Sequence, residues 1–540
     1  MNDPLYRKPL FWQLLAVGLL VPAFFSHLGL IPLDTVSDEP RRALVAIEMM
    51  LSGDYLTPTL NGEPYFNKPP LYNWIIAASY HFFGDYSAFA LRFPMAVSLV
   101  LYGLTVFLLV RRHLGSPVAF AAALMLVTNA RVMLYDSLLG LIDITFSWLT
   151  YTAFIWVYQF DRQRRYYALF LSTYVLTALG FLMKGLPSLV FQGLTLLAYF
   201  LYTRQFRRLF HPAHFLGIGV FLLIVGSYYV AYFTRNAIPL SQVAGVLFSE
   251  SAKRTVVEFG IGQTLLHMLT FPLEMLYHYA PWLVMVVFLF RRLQTPYLRD
   301  MAYWKEPFVR FNGIIFLVNF VIYWTSPQVY ARYLLMLLPL LFTILAYGYY
   351  QARPTDWRRR FFDGFGLMLL GVLTLGSWAP LFIPETKSME GLIWKCGLFF
   401  LLLAFFLLQY QRQRENRLLI LFATMAVLRW GFNWFALPPR VEHRQFYKDS
   451  SEAVARLTLD QNGKPLPLYG YKATIGTDGG TDVNSFHIAA VRRRVLGVTD
   501  RKIPGAFYIA DSLNLAGERY RTRHRFMLFD QHPAYLVQFE

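Results

Sequence analysis

Charge and cysteine are both scarce in this chain. Only 15% of its 540 residues are Asp, Glu, Lys or Arg, against roughly a quarter in a soluble globular protein. That is too little charge to cover a water-soluble surface of this size. The one cysteine, Cys396, excludes an intrachain disulfide, a Cys-ligated zinc site and a CxxC redox pair. It sits in the apolar run 392–408 and reads as an inert buried thiol. No HExxH, GxxxxGK[ST] or GxSxG occurs, so the signatures of zinc proteases, P-loop enzymes and nucleophile elbows are missing. Gly476, Gly479 and Gly480 lack the strand–helix setting of a dinucleotide loop and read as a turn. Acidic residues are outnumbered 32 to 50, which leaves a formal net charge of +18.

Apolar residues make up 56% of the chain and aromatics 18%, with a mean hydropathy of +0.40. Aromatic richness excludes disorder. Nucleic-acid binding would require a soluble domain with a basic face, which the composition contradicts. An apolar yet basic chain instead reads as a polytopic membrane protein with its cations in the loops. Thirteen apolar stretches are expected to cross the bilayer: 10–31, 89–110, 118–134, 138–160, 167–183, 186–202, 215–233, 271–290, 311–324, 333–350, 364–383, 392–408 and 418–435. The first is long enough to span and lacks a small-residue cleavage pattern, so no cleaved signal peptide is expected.

Loop charge tests that count. With a cytoplasmic N-terminus, the cytoplasmic loops carry Arg111 and Arg112, then Arg162, Arg164 and Arg165, then Arg204, Arg207 and Arg208. Arg291 and Arg292, Arg353 and Arg358 to Arg360, and Arg412, Arg414 and Arg417 continue the series. Short loops on the other face carry single cations: Arg131, Lys184, Arg332 and Lys387. This is the positive-inside pattern, and one missing span would scramble it. Two loops on that other face are long, 32–88 and 234–270. They are too rich in apolar residues to be linkers and are expected to hold short helices along the membrane surface, with Phe82, Phe83, Tyr86 and Phe89 as interfacial anchors. After Pro438-Pro439 the chain turns polar. Residues 1–440 thus read as a membrane domain and 441–540 as a small α/β domain on the face of the long loops. The latter has β-prone stretches at 466–471, 495–498, 506–509 and 535–539 and a helix at 451–459.

Polar chemistry is concentrated in the first long loop. Asp38-Glu39-Pro40-Arg41-Arg42 follows the first span directly. Ser37 or Asp38 reads as the cap of a helix over 40–51, stopped by Gly53. A capping carboxylate can also face a substrate. Lys68 lies in Tyr65-Phe66-Asn67-Lys68-Pro69-Pro70, a rigid extended setting, and a rigidly placed ammonium suits a phosphate. The bland alternative is a lysine reaching for headgroups. Asp136 and Asp143 follow in a short loop, where a carboxylate in apolar surroundings is expensive unless it meets a cation or faces water. Lys184, in Met183-Lys184-Gly185, has the same character with opposite sign. Glu250 and Arg254 stand one helical turn apart and could simply pair with each other. Asp38, Glu39, Arg41, Lys68, Asp143, Lys184, Glu250, Arg254 and Arg332 all fall on the non-cytoplasmic face. Carboxylates and cations gathered there describe a cavity for an anionic lipid headgroup and a polar reaction partner.

The stretch from Asp38-Glu39-Pro40-Arg41 through Ser52-Gly53-Asp54-Tyr55 to Tyr65-Phe66-Asn67-Lys68-Pro69-Pro70 resembles the first periplasmic loop of GT-C glycosyltransferases. The nearest branch is that of the lipid A 4-amino-4-deoxy-L-arabinose transferases. Asp143, Met183-Lys184-Gly185 and the pair Glu250 and Arg254 match the family in order, and Tyr333 falls near a family tyrosine close to the donor site. Two positions depart from it. Asn67 stands where relatives often have Glu, and Ser249 and Ser251 stand where they carry a histidine. Together those two family residues could share a structural metal, so their joint absence argues for no metal here and against the aminoarabinose substrate.

The resemblance implies a polyprenyl-phosphate sugar, such as an undecaprenyl-phosphate one, as donor and no cofactor. It implies Asp38, Glu39 and Asp143 as catalytic residues, Lys68 and Arg254 with Arg41 and Lys184 as ligands of the donor phosphate, and Tyr65, Glu250 and Tyr333 as substrate contacts. It further implies inversion at the sugar, an acceptor such as lipid A or another envelope glycan, and a monomer in the bacterial inner membrane. The site and the C-terminal domain would then be periplasmic. A protein O-mannosyltransferase shares the fold class and the early Asp-Glu. A flippase or secondary transporter would instead place its polar residues near the bilayer midplane and carry internal repeats, of which the sequence has none.

Overall fold

In an apolar setting the backbone must satisfy its own N–H and C=O groups, and uninterrupted apolar runs therefore fold as helices. The computed structural model describes residues 5–33, 38–237, 239, 241–242, 244–246, 249, 256–292, 295–296, 305–475, 481–528 and 532–540. Among the described residues, six helical runs are long and apolar enough to cross a bilayer: Ala88–Val127, Tyr166–Lys184, Pro212–Arg235, Pro307–Trp324, Leu392–Arg412 and Arg414–Ala436. Pro9–Phe25 and Pro187–Tyr202 are apolar but shorter. Length and composition thus single out fewer helices than the thirteen expected crossings.

Four helices frame the site region: α1 (Pro9–Phe25), α2 (Glu39–Ser52), α3 (Leu71–Phe83) and α4 (Ala88–Val127). The second and third apolar stretches fall largely within α4, which is broken at Gly115. The glycine adopts φ +81° and ψ 169°, a conformation closed to residues with a Cβ. The eighth stretch is not one helix. A helix runs Val256–His278, starting inside what reads as the second long loop, and residues Trp282–Leu289 form 3-10 turns. Pro281 accounts for the break, since it has no N–H to donate and clashes with a continuing helix.

The first long loop folds as α2, a two-stranded hairpin of β1 (Thr59–Leu60) and β2 (Glu63–Pro64), and α3. Asp38 precedes α2, but its side chain makes no capping hydrogen bond. Its neighbour Glu39 turns inward and is fully buried. Arg92 of α4 meets it with Nε at 2.7 Å and Nη2 at 2.8 Å. The same guanidinium donates to the carbonyls of Leu28, Ile31 and Pro32 at 2.9, 2.7 and 3.3 Å. Glu39 also accepts the Gly140 N–H at 2.7 Å. Gly140 lies so close to α4 that a Cβ would stand 2.9 Å from Leu91 Cγ. One ion pair thereby ties together the exit of α1, the start of α2, and the loop between α5 (Ala130–Leu134) and α6 (Asp143–Arg162).

At the C-terminus a helix, Pro438–Leu457, leads into a five-stranded sheet. Phe290–Arg292 (β3) and Thr295–Pro296 (β4) form a small separate hairpin. The C-terminal strands are β5 (Leu468–Tyr471), β6 (Gly497–Thr499), β7 (Phe507–Asp511), β8 (Tyr520–Met527) and β9 (Pro533–Phe539), in the order β6-β5-β7-β9-β8. β5 pairs in parallel with β6 and β7, while β9 is antiparallel to β7 and β8. Leu468, Ile488, Ile509 and Leu536 core the sheet against its helices. The helix Asp482–Arg492 also reaches the other way and contributes Val483, Phe486 and Ala489 to the main helical core.

Removing one partner of a buried ion pair leaves an uncompensated charge, at a cost of about 3–5 kcal/mol. Arg92→Met and Glu39→Gln are each expected to lower the thermal unfolding midpoint of the detergent-solubilised protein sharply. The double variant should lose less than the two single losses added together. Full additivity would show that the two side chains do not act as a pair.

Candidate active site

Two helix ends set the first pair of charges. Asp143 is the first residue of α6, and Lys184 is the last of α7 (Tyr166–Lys184), just before Gly185. A carboxylate at a helix N-terminus and an ammonium at a C-terminus each suit the local dipole. Lys184 Nζ donates to Asp143 Oδ1 at 2.6 Å, and it stands 4.1 Å from the centre of the Tyr333 ring. Arg332, in the turn Ala331–Leu334, places Nε 3.3 Å from Asp143 Oδ2 and Nη2 3.8 Å from Asp38 Oδ2. Burial opposes the Arg332 charge, but Asp143, Tyr333, Asp38 and Asp136 together hold its pKa above the ordinary guanidinium value.

These groups line one cavity of about 350 Å³, with Asp38, Arg42, Lys68, Asp143, Lys184, Arg332 and Tyr333 in its wall. Four cations face two carboxylates there, so the cavity favours an anion. Asp38 is the most open of the ion-paired groups, with 59% of its side chain exposed, against 11% for Asp143 and Arg332. Lys68 also borders a second cavity of about 270 Å³, walled by Tyr65, Phe66, Tyr228, Tyr229 and Tyr232. The ammonium therefore stands where a charged space and an aromatic space meet.

The structure brings together Asp38, Lys68, Asp143, Lys184, Arg332 and Tyr333 from the residues singled out in sequence. It does not bring Glu39 to them, because Arg92 holds that carboxylate in the interior. Arg41 also points elsewhere, with Nε 2.8 Å from Asp482 Oδ2 of the C-terminal helix. Tyr65 walls the second cavity, where it lies under the Arg42 guanidinium, 5.2 Å from the ring centre, and accepts a hydrogen bond from it. Glu250 and Arg254 lie outside the described residues. Arg42 is the lining residue that sequence reasoning missed. Its only signal was the helical spacing of one turn from Asp38. Among the described residues, no three His, Cys, Asp or Glu side chains are grouped so that they could hold a metal.

Asp136 lies behind the cavity, 4% exposed, with its oxygens 3.1 and 3.2 Å from Arg131 Nε. Burial pushes its carboxyl up to about 6, Arg131 pulls the other way, and the Asp143 charge adds to the rise.

Comparison with known proteins gives a consistent picture. The family described as dolichyl-phosphate-mannose-protein mannosyltransferase matches residues 67–232. An undecaprenyl phosphate-alpha-4-amino-4-deoxy-L-arabinose arabinosyl transferase of Shewanella sediminis is 35% identical over 191 residues, 32% of this chain and 34% of that protein. Its namesake from Pseudomonas paraeruginosa is 30% identical over 219 residues, 40% of this chain and 38% of that protein. The chain thus matches these relatives over less than half of their length. In fold the similarity is more extensive. The crystal structure of ArnT from Cupriavidus metallidurans bound to undecaprenyl phosphate superposes with a TM-score of 0.68 at 19% identity, covering 97% of this chain and 98% of that one. The chain is similar in sequence to these arabinosyl transferases over the matched segment, and similar in fold to ArnT over nearly its whole length.

Asp136 yields a pH prediction. Its folded pKa lies above the roughly 3.9 of an unfolded aspartate. Its contribution to stability is therefore full below that value and is lost as pH rises through about 6. Between pH 5 and pH 7, Asp136→Asn should gain thermal stability relative to wild type. Midpoints of the two proteins that shift in parallel would refute this.

Proposed function

We propose that this protein is a membrane glycosyltransferase that moves a sugar from a polyprenyl-phosphate donor to an acceptor on the non-cytoplasmic side. The observation that carries this reading is the single cavity where Lys68, Lys184 and Arg332 stand beside Asp38 and Asp143. The leaving group of such a donor is a lipid phosphate, which cannot depart into hydrocarbon as a bare anion. Preorganised cations near the breaking bond stabilise the charge that develops there. Lys68 is the ligand best placed for the phosphate, with Lys184 and Arg332 behind it. Asp143 keeps those two cations in register. Similarity to proteins named as undecaprenyl-phosphate transferases supports the donor class.

Asp38 takes the attacking side, because it is the open carboxylate of the cavity. With a sugar hydroxyl as acceptor it acts as general base. With a phosphate acceptor, as on lipid A, little base is needed, and Asp38 then positions the acceptor or stabilises positive charge on the sugar. Single displacement inverts the anomeric centre. In the same proposal the chain is a multi-pass inner-membrane protein with thirteen crossings and a cytoplasmic N-terminus. Residues 441–540 lie on the periplasmic side.

A second reading, transfer to a protein hydroxyl, is favoured by the family that matches residues 67–232. Mass spectrometry of lipid A, envelope glycans and periplasmic proteins, with and without this protein, separates the two.

Purified Asp38→Asn and Lys68→Ala should each lose about two orders of magnitude in transfer from a polyprenyl-phosphate sugar, and wild-type rates in both would sink the assignment. A reporter fused after Glu540 should be periplasmic; a cytoplasmic signal would remove the odd number of crossings.

A further inference from the structure

Helix α2 buries a second carboxylate, ten residues beyond Asp38, that the proposed chemistry does not use. Glu48 is fully buried, a costly state for a carboxyl group unless its oxygens are hydrogen-bonded. Its donors all come from the hairpin. Thr59 Oγ1 donates to Oε2 at 2.7 Å, the Asn61 N–H to Oε1 at 2.7 Å and the Gly62 N–H to Oε2 at 3.2 Å. Three donors within four residues fix the turn of the hairpin.

The hairpin leads directly to Lys68. Its base is closed by the Tyr65 N–H donating to the Pro58 carbonyl at 2.8 Å. Arg42 takes the Tyr65 hydroxyl, and the Phe66 ring lies 6.2 Å from that of Tyr232. Two residues later Lys68 enters the junction of the two cavities. On its other side the turn meets the C-terminal sheet. A Cβ on Gly62 would lie 3.7 Å from the Gly497 Cα and 3.8 Å from Val495 Cγ1. The hairpin is therefore gripped between a buried carboxylate and strand β6.

Few charges face Glu48. The hairpin presents the Thr59 hydroxyl and two N–H groups, while its own Glu63 is exposed. From the C-terminal helix comes Asp482, which Arg41 holds at 2.8 Å. Burial pushes the Glu48 carboxyl up to about 7, against the hydrogen bonds from Thr59, Gly62 and Asn61, and Asp482 adds to the rise.

We propose that Glu48 is a positioning residue for Lys68: by holding the Thr59–Gly62 turn, it fixes the segment that delivers the ammonium to the junction of the two cavities. This rests on the reading of Lys68 as a phosphate ligand.

The test uses the full-length protein in detergent, with undecaprenyl phosphate as the binding probe and hydrogen exchange across residues 57–70. In Glu48→Ala, exchange at Asn61 and Gly62 should speed up about tenfold and probe affinity should fall by a similar factor. The C-terminal sheet should keep its protection. Glu48→Gln guards against a folding defect and supplies a pH profile. A neutral acid and an amide are alike, so wild type and Glu48→Gln should bind the probe equally below pH 6. Above pH 8 ionisation of the buried carboxyl weakens its hold, and wild type should bind several-fold less tightly than Glu48→Gln. Ionisation of the probe cancels in that ratio. An affinity ratio that stays flat from pH 6 to 8, or Glu48→Ala binding like wild type while Lys68→Ala does not, would overturn the proposal. If Lys68→Ala itself binds like wild type, the phosphate reading falls. The clamp is then judged on exchange alone, and unchanged protection at residues 59–70 in Glu48→Ala overturns it.

Discussion

The arrangement at the cavity depends on one buried ion pair, Glu39 with Arg92. Taking both charges out of water is expensive, and their mutual attraction repays it only when every remaining donor is satisfied. Here all five guanidinium donors are used, two on Glu39 and three on the carbonyls of Leu28, Ile31 and Pro32. The carboxylate keeps a further donor in Gly140. Asp38 adjoins the pair at one end, and Asp143 follows Gly140 by three residues at the other. Both cavity carboxylates are thus positioned by a charge pair that never touches the cavity.

Around that pair the site is assembled from helix ends and turns rather than helix middles. Asp143 opens α6, Lys184 closes α7, Arg332 sits in a 3-10 turn, and Lys68 sits at a bend between β2 and α3. Backbone dipoles favour the first two charges where they stand. The cations outnumber the carboxylates, so a bound anion would relieve repulsion among groups that the fold has already brought together. Fixing them in advance removes the reorganisation that solvent would otherwise have to supply as charge develops.

Much of this was legible in the sequence, for identifiable reasons. Alternation of loop charge put Lys68, Asp143, Lys184 and Arg332 on one face, and those four do converge. The neighbours Asp38 and Glu39 read alike, yet a helix turns successive residues about 100° apart, and only one of them could face the cavity. Which one was fixed by Arg92, 53 positions away. Arg41 was equally opaque, because its partner Asp482 lies 441 positions along the chain. Four strands of the C-terminal sheet announced themselves by apolar runs. The fifth, β8, did not: it is an edge strand whose Arg521, Arg523 and Arg525 are exposed, and charged edges blunt pairing with other chains. The same charges that suit an edge erase the apolar alternation by which strands are read.

Helix α2 shows why the local reading went only part of the way. On an ordinary surface helix charged residues face water, and their partners carry little energy. In α2 each of the four charged residues is committed to a different element. Glu39 goes to α4, Arg41 to the C-terminal helix, Arg42 to Tyr65 just after β2, and Glu48 to the hairpin. The helix is thereby fixed on several sides before any ligand arrives, and Asp38 at its head is the acidic group left open. A carboxylate that must meet a reacting atom within a fraction of an ångström gains from such a mount, because its conformational freedom is lost in folding rather than in the reaction. The C-terminal domain, which meets α2 through Asp482 of its helix Asp482–Arg492 and the hairpin through Gly497 of β6, is then part of the same mount.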